Sequence, residues 1–318
     1  MAAIYLHDHK EFPALLNILA DEMGIEPGLV EKDYWIMHSL YGLKKQGYQF
    51  QLKGGTSLSK GFGLIDRFSE DIDMHIDPPK ELAINENPKN DKPSNIEKKK
   101  KYYDQLAKEI KIDGIIKVRR DHAFDDEKRY NSGGIRLHYN GLSNPIKGVK
   151  EGILLEAGYD TVAPNMPVTI TSWAYERAKD NKGIAIIDNR AVDIFCYDHR
   201  YTFVEKLQTI ASKFRKEMST SEVATNYMRQ YYDVYSLLGD KAVQEFIGTP
   251  EYMEHKKKRF SREDFEMPFS KNEAFLLNDP AVRKLLQDRY EKAKALYYKG
   301  QPPFQDVLKR IHGYIDKL

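Results

Sequence analysis

FQLKGGTSLSKGFGLIDRFSEDIDMHI, residues 50–76, reads as a strand, a glycine turn, a short helix and a second strand. Phe50 to Lys53 has strand composition, and Gly54-Gly55-Thr56 makes a tight turn. Thr56 to about Phe62 predicts a short helix with Thr56 or Ser57 as its N-cap. Asp71-Ile72-Asp73-Met74-His75-Ile76 alternates polar and apolar residues, the period of a strand with one buried face. Asp71 and Asp73 therefore share one face, and Ile72 and Met74 turn toward the core. Two carboxylates aimed together repel unless a cation lies between them. Hard oxygen ligands of this kind suit Mg²⁺ or Mn²⁺, which also take oxygens from a substrate phosphate. Glycines let the backbone approach a phosphate closely, and a helix start offers free N–H groups. Taken singly, a Gly-Gly turn is usually just a turn, and an Asp-x-Asp is usually solvated. In this order they describe a phosphate cradle followed by a metal-binding pair, the local chemistry of nucleotidyl transfer.

Upstream, residues 9–23 carry apolar residues at helical spacing, with Phe12, Leu15, Leu16, Ile18 and Leu19 as core candidates and Gly24 as the stop. Pro27 opens a second helix running to about Lys45. Its string Glu31-Lys32-Asp33-Tyr34-Trp35 reads, on composition, as charges in solvent. Downstream, residues 77–101 are rich in Pro, Asn and Lys without an apolar period, which predicts a loop or insertion. The run Lys98–Lys101 suits a solvated helix face, or an RNA backbone. Ile115–Val118 and Ile135–Tyr139 read as strands, with Ser132-Gly133-Gly134 as the turn between them. Arg119, Arg120, Lys128, Arg129 and Arg136 make this stretch basic.

GILLEAGY, residues 152–159, is the next strong strand. Ile153 and Leu155 share one face, Leu154 and Glu156 the other, and a carboxylate there is costly if buried and unpaired. Residues 160–190 read as an irregular connection and Ala191–Tyr197 as a short strand. A helix follows from Tyr201 to about Lys216. A break at Met218 to Ser221 then precedes a helix from Glu222 to Leu238. The C-terminal third is helical and polar, with a basic run at His255–Arg259 and helices over 280–298 and 304–318.

The 318 residues allow one large domain or two smaller ones, and 41% hydrophobic content fills a sizeable core. A net charge of +2 does not announce a nucleic-acid binder, so charge distribution must carry that argument. Cys196 is the single cysteine, which excludes an internal disulfide. There is no signal-peptide pattern and no apolar run of membrane-spanning length, so a cytoplasmic protein is expected. The histidines show no metal-ligand spacing.

Gly54-Gly55-Thr56 followed by Asp71-Ile72-Asp73 resembles the signature of the DNA polymerase β-like nucleotidyltransferase superfamily. The fuller string KGGTSLSKGFGLIDRFSEDIDM resembles one branch, the AbiEii/MenT nucleotidyltransferase toxins of bacterial toxin–antitoxin and abortive-infection systems. That branch shares the long gap between the glycines and the first aspartate, and carries a string like EKDYW upstream. TFVEKL, with RQYYDVY about two dozen residues later, resembles its later motifs. The resemblance implies that Gly54, Gly55, Thr56 and Ser57 cradle phosphate, with Ser69 helping to position it. It implies that Asp71 and Asp73 hold the metal. A third carboxylate is expected from the strand beside them: Glu156 by order and context, with Glu151 as the nearby competitor. It further implies that Lys206 contacts the triphosphate and that Asp233 belongs to the active site. From spacing alone, Lys206 would be a surface lysine and Asp233 a partner for Arg229.

The expected fold is α+β, a mixed α/β chain. A polymerase β-like nucleotidyltransferase core occupies residues 1–198, and a mostly helical domain, residues 199–318, completes the active site. The resemblance implies a Mg²⁺-dependent enzyme (or Mn²⁺) that takes an NTP and releases pyrophosphate. It implies a tRNA 3′ end as acceptor and a cognate antitoxin as partner. Three rivals stand beside this: NMP transfer to a protein hydroxyl, nucleotide binding without turnover, and a sugar-nucleotide glycosyltransferase, which the Gly-Gly-Thr helix start disfavours.

Overall fold

The computed structural model describes residues 2–146, 148–181, 183–220 and 227–318. The chain divides into two compact units. The first comprises Met1–Phe62 and Phe68–Tyr197; the second comprises Gly63–Arg67 and Asp198–Leu318. The expected mixed α/β architecture is found, with the sheet in the N-terminal half and helices in the C-terminal half.

Unit 1 is built on a seven-stranded sheet of order β3-β4-β5-β2-β1-β7-β6. The strands are β1 (Phe50–Lys53), β2 (Asp71–Ile76), β3 (Ile115–Asp121), β4 (Ser132–Tyr139), β5 (Ile153–Gly158), β6 (Asn165–Ile170) and β7 (Ala191–Tyr197). β2 runs parallel to β5 and antiparallel to β1, and β1 runs parallel to β7. The alternation read in β2 holds: Ile72, Met74 and Ile76 are buried, while Asp71, Asp73 and His75 are half-buried. Register carries that division across the sheet. Leu52, Leu155, Ile135, Leu137 and Cys196 share the apolar face and are all buried. Helix α4 (Pro93–Glu109) packs on β3 and β4, with the Tyr103 ring against Gly133. The opposite face carries Lys53, Asp71, Asp73 and Glu156.

Ahead of the sheet lie α1 (Phe12–Met23) and α2 (Pro27–Lys45). Phe12, Leu16 and Leu19 enter the core as expected, but Ile18 is exposed. The charges of Glu31, Lys32 and Asp33 are not in solvent: all three residues are buried. Each has a partner far away in sequence. Glu31 accepts from the backbone N–H groups of Leu142 (2.8 Å) and Ser143 (3.0 Å), and Asp33 holds Lys60 at 2.5 Å and the Trp173 N–H at 2.8 Å.

Other expectations are corrected by packing. Ser132-Gly133-Gly134 is strand, because a Cβ at Gly133 would lie 2.6 Å from the Tyr103 ring and one at Gly134 would lie 2.3 Å from the Asp121 carbonyl. α4 begins at Pro93 inside the stretch read as loop, and Lys99 of its lysine run is buried, donating to Asn131 Oδ1 at 2.8 Å. Residues 160–190 are not irregular throughout: they contain β6, the edge strand, and α5 (Trp173–Ala178), capped by the Ser172 hydroxyl.

Unit 2 packs α6 (His199–Thr220) against α7 (Met228–Leu237), with α8 (Lys241–Phe246), α9 (Pro250–Arg259), α10 (Arg262–Glu266) and α11 (Glu273–Leu276) also against α6. α12 (Pro280–Glu291) and α13 (Phe304–His312) pack on α7. Phe203, Leu207, Ile210, Tyr231, Val234, Phe275, Val307 and Ile311 are fully buried within this unit. The break expected from Met218 is absent as far as Thr220, where α6 ends; residues 221–226 of the expected break and following helix lie outside the described residues. The basic run at His255–Arg259 ends α9, and Lys256 turns inward to the Leu318 carbonyl at 2.6 Å. No helix among the described residues is long and apolar enough to cross a membrane.

Candidate active site

The turn after β1 places the backbone of Gly54 against Asp73. Gly54 has φ +73°, and a Cβ there would lie 2.1 Å from Asp73 Oδ2. Both the left-handed backbone and the contact demand glycine. Helix α3 (Gly54–Thr56) starts at Gly54 itself, one residue after Lys53, and continues as a π-helical turn over Ser57–Gly61. Neither Thr56 nor Ser57 is the N-cap. Thr56 Oγ1 donates to the Asp71 carbonyl at 2.6 Å, and Ser57 Oγ donates to the Gly54 carbonyl at 3.0 Å. The Thr56 proton thus ties the turn to β2, the Ser57 proton closes the turn on itself, and Gly55 is buried beside them. Ser69 is half-buried, just before β2. Replacing Gly54 by alanine is expected to cost about 1–3 kcal/mol of stability and to push Asp73 off its position. Urea denaturation and turnover of the same variant check this; an unchanged pair of values would contradict the contact.

β2 and β5 set the carboxylates in a row. Asp73 lies opposite Glu156, and Asp71 opposite Leu154. Glu156, rather than Glu151, therefore stands beside the aspartate pair; Glu151 is exposed ahead of the strand. Burial first, then the charges of Asp73 and Asp71, push the Glu156 carboxyl up to about 7, against the pull of Lys53 and Lys150. The Lys150 ammonium is 2.6 Å from Asp71 Oδ2. Asp71 Oδ1 is buried with no hydrogen-bond partner.

Several supporting residues are assigned no role from the sequence. Lys150 is one, and Lys53, 3.0 Å from Asp160, is another. Lys32 is buried with its ammonium 3.6 Å from Glu70 and donates to the Lys150 carbonyl; burial holds its pKa below the ordinary lysine value. Glu70 in turn accepts from the Lys150 N–H at 2.8 Å. The loop bearing Lys150 is thus tied to α2 and to the residue preceding Asp71. The EKDYW string was the available signal, since three consecutive charges in a helix that long must include some that face inward.

The donor set fits a divalent cation. An orphaned, buried carboxylate oxygen beside two further carboxyls is stabilised by a hard cation and by little else. The carboxyls line up without converging: among the described residues no group of three His, Cys, Asp or Glu is gathered for a metal ion.

In unit 2 the structure brings Lys206 and Asp233 together, and adds Arg67. Asp233, fully buried on α7, takes Arg67 through two hydrogen bonds, Nε to Oδ1 at 2.6 Å and Nη2 to Oδ2 at 2.7 Å. The Lys206 ammonium from α6 is 3.0 Å from Asp233 Oδ2. Burial would raise the Asp233 pKa, but the two cations override it and hold the carboxyl at about 2. Burial and Arg67 lower the Lys206 pKa, and Asp233 opposes them. The partner for Asp233 is therefore not Arg229 one turn away but Arg67, 166 residues earlier.

Residues 38–310 match the family described as nucleotidyl transferase AbiEii toxin, type IV toxin–antitoxin system. The chain belongs to that family. It is a nucleotidyltransferase, and its family pairs such toxins with antitoxins. No curated protein matches the sequence. Among solved structures, an antigenic nucleotidyltransferase-like protein from Paracoccidioides brasiliensis superposes with a TM-score of 0.36 at 10% identity, over 74% of this chain and 97% of its own.

Proposed function

We propose that the protein transfers the nucleoside monophosphate of an NTP to the 3′-hydroxyl of an RNA, tRNA above all, in the cytoplasm and under the restraint of a cognate antitoxin. The observation that carries this reading is the row Asp71, Asp73 and Glu156 on the half-open face of the sheet, with the Gly54 backbone against Asp73. Asp71 and Asp73, with Glu156, would hold Mg²⁺ (or Mn²⁺). When bound, such a cation supplies charge stabilisation to the triphosphate. The backbone at Gly54 and Gly55 receives phosphate, with Thr56 and Ser57 fixing the turn and Ser69 at its edge. Lys206 keeps the phosphate-binding role that the family resemblance implies, and Asp233 holds its ammonium.

In the transfer, the acceptor oxygen bonds the α-phosphorus and the bond to the bridging oxygen breaks. Pyrophosphate leaves with the electron pair. Glu156 takes the hydroxyl proton from its place opposite Asp73.

The test supplies each of four α-labelled NTPs, with Mg²⁺, to total tRNA and to total protein in parallel, beside an Asp71→Ala/Asp73→Ala variant. Label on tRNA that the variant loses supports the reading. Label on protein alone moves the acceptor to a protein hydroxyl, and no label in either pool, with NTP bound, leaves a binding protein.

A further inference from the structure

The polar face that carries the carboxylates does not end at β5. Asp71 lies opposite Leu154, Leu154 opposite Arg136, and Arg136 opposite Arg119. One unbroken row therefore crosses four strands, from the metal-binding aspartate to the edge of the sheet. Beside it lies a second pair, His138 opposite Lys117. The outer end of this face thus holds Lys117, Arg119, Arg136 and His138 within two strands.

These residues differ in how they are held. Arg136 is buried and committed, with Nε 2.7 Å from Asp121 Oδ2, Nη1 2.7 Å from the Glu151 carbonyl, and its guanidinium against the Phe124 ring. Lys117 and Arg119 are exposed, and neither has a carboxylate partner among the described residues. His138 Nε2 is buried without a hydrogen-bond partner. After burial, the charges of Arg119, Arg136 and Lys117 all disfavour its proton, and Glu151 alone opposes them. Like charges facing one another across strands destabilise a sheet. Here Lys117 and Arg119 stand exposed at the outer end of the sheet face that bears the carboxylates, beyond the buried Leu154 and Arg136.

The basic runs legible in the sequence lie off this row, and several of their cations are already committed. Lys99 is buried on Asn131, Lys101 is within 3.7 Å of Glu97, Lys256 points to the chain end, and Arg259 lies 3.4 Å from Glu205.

We propose that Lys117 and Arg119 form the track for the phosphodiester backbone of the acceptor RNA. The inference rests on the reading of the acceptor as RNA. Three strand spacings separate Asp71 from Arg119, about 14 Å. At the rise of a duplex strand this is about four nucleotides from the reacting 3′ end. The track binds phosphate and reads no base, so it serves acceptors of different sequence equally.

The experiment compares wild type with a Lys117→Gln/Arg119→Gln variant. Both residues are exposed, so folding is preserved, and a thermal melt and NTP affinity confirm it. Affinity for total tRNA is measured against salt concentration. The variant is expected to bind about tenfold more weakly at low salt, with the slope of log K against log salt reduced by about 1.4–1.8, the share of two phosphates. A Lys98→Gln/Lys101→Gln variant is expected to lose less. Unchanged affinity and slope in the Lys117/Arg119 variant, or equal losses in the two variants, overturn the track while leaving an RNA acceptor standing. No salt-dependent RNA binding by wild type, with label transferred to protein instead, overturns the RNA reading and the track with it.

Discussion

Glu156→Gln is expected to stabilise the metal-free protein at pH 8 by about 2–3 kcal/mol while slowing nucleotidyl transfer at least ~100-fold. The stabilisation follows from where Glu156 sits. Its carboxyl is buried beside Asp73 and Asp71 and titrates at about 7 instead of 4.5. A carboxyl whose folded pKa is raised favours the folded state only while it is protonated. Above pH 7 both states are ionised, and the folded state carries the full repulsion. Below pH 4.5 both are protonated and the penalty vanishes. The stability gap between variant and wild type should therefore open as pH rises from 4.5 to 7 and stay constant beyond. Every tenfold change in proton affinity between the two states is worth ~1.4 kcal/mol, and partial solvent access trims the total. A divalent cation should narrow the gap by stabilising wild type more than the variant. Urea denaturation in chelator at pH 5 and pH 8, repeated with Mg²⁺, measures all of this. An equal gap at both pH values would mean that Glu156 is not in the field of the aspartates. The loss of rate follows separately, since a glutamine amide cannot accept the hydroxyl proton.

That carboxylate row was legible in the sequence because β2 and β5 obey local rules. DIDMHI alternates, ILLEAG is apolar, and the period of two assigns Asp71, Asp73 and Glu156 their faces before any partner is known. What escaped was set by contacts distant in the chain. Glu31, Lys32 and Asp33 looked like a solvated helix face, and partners far along the chain, among them Ser143, Glu70, Lys60 and Trp173, make their burial possible. Gly133 and Gly134 looked like a turn because the sequence cannot display the Tyr103 ring and Asp121 carbonyl that exclude a side chain. β6 lacked a strand signal since an edge strand with Pro167 has one partner and little apolar alternation. The basic face at Lys117 and Arg119 was visible only as local composition, and register alone aligned it with Asp71.

Asp233→Ala is expected to cost about 3–5 kcal/mol, the largest stability loss among the residues assigned to the reaction. The buried carboxylate is shared by two cations, buried Arg67 and mostly buried Lys206. Removing it leaves two positive charges facing each other in a medium that hydrates neither. Lys206→Met behaves differently. It removes one cation but leaves Asp233 in its two-point hydrogen bond with Arg67, so the loss should stay below about 2 kcal/mol. If Lys206 binds phosphate, both variants lose transfer, yet only Asp233→Ala loses the fold of unit 2. The contrast separates a residue that acts on substrate from one that holds it in place. It is measured by urea denaturation beside turnover, and by NTP affinity for the variant that stays folded. Equal stability losses in the two variants would show that Arg67 does not secure Asp233 by itself. An Asp233→Ala protein as stable as wild type would contradict the buried cluster altogether. A folded Lys206→Met variant with unchanged NTP affinity and unchanged rate would remove Lys206 from the phosphate site and leave it as a structural counter-charge to Asp233.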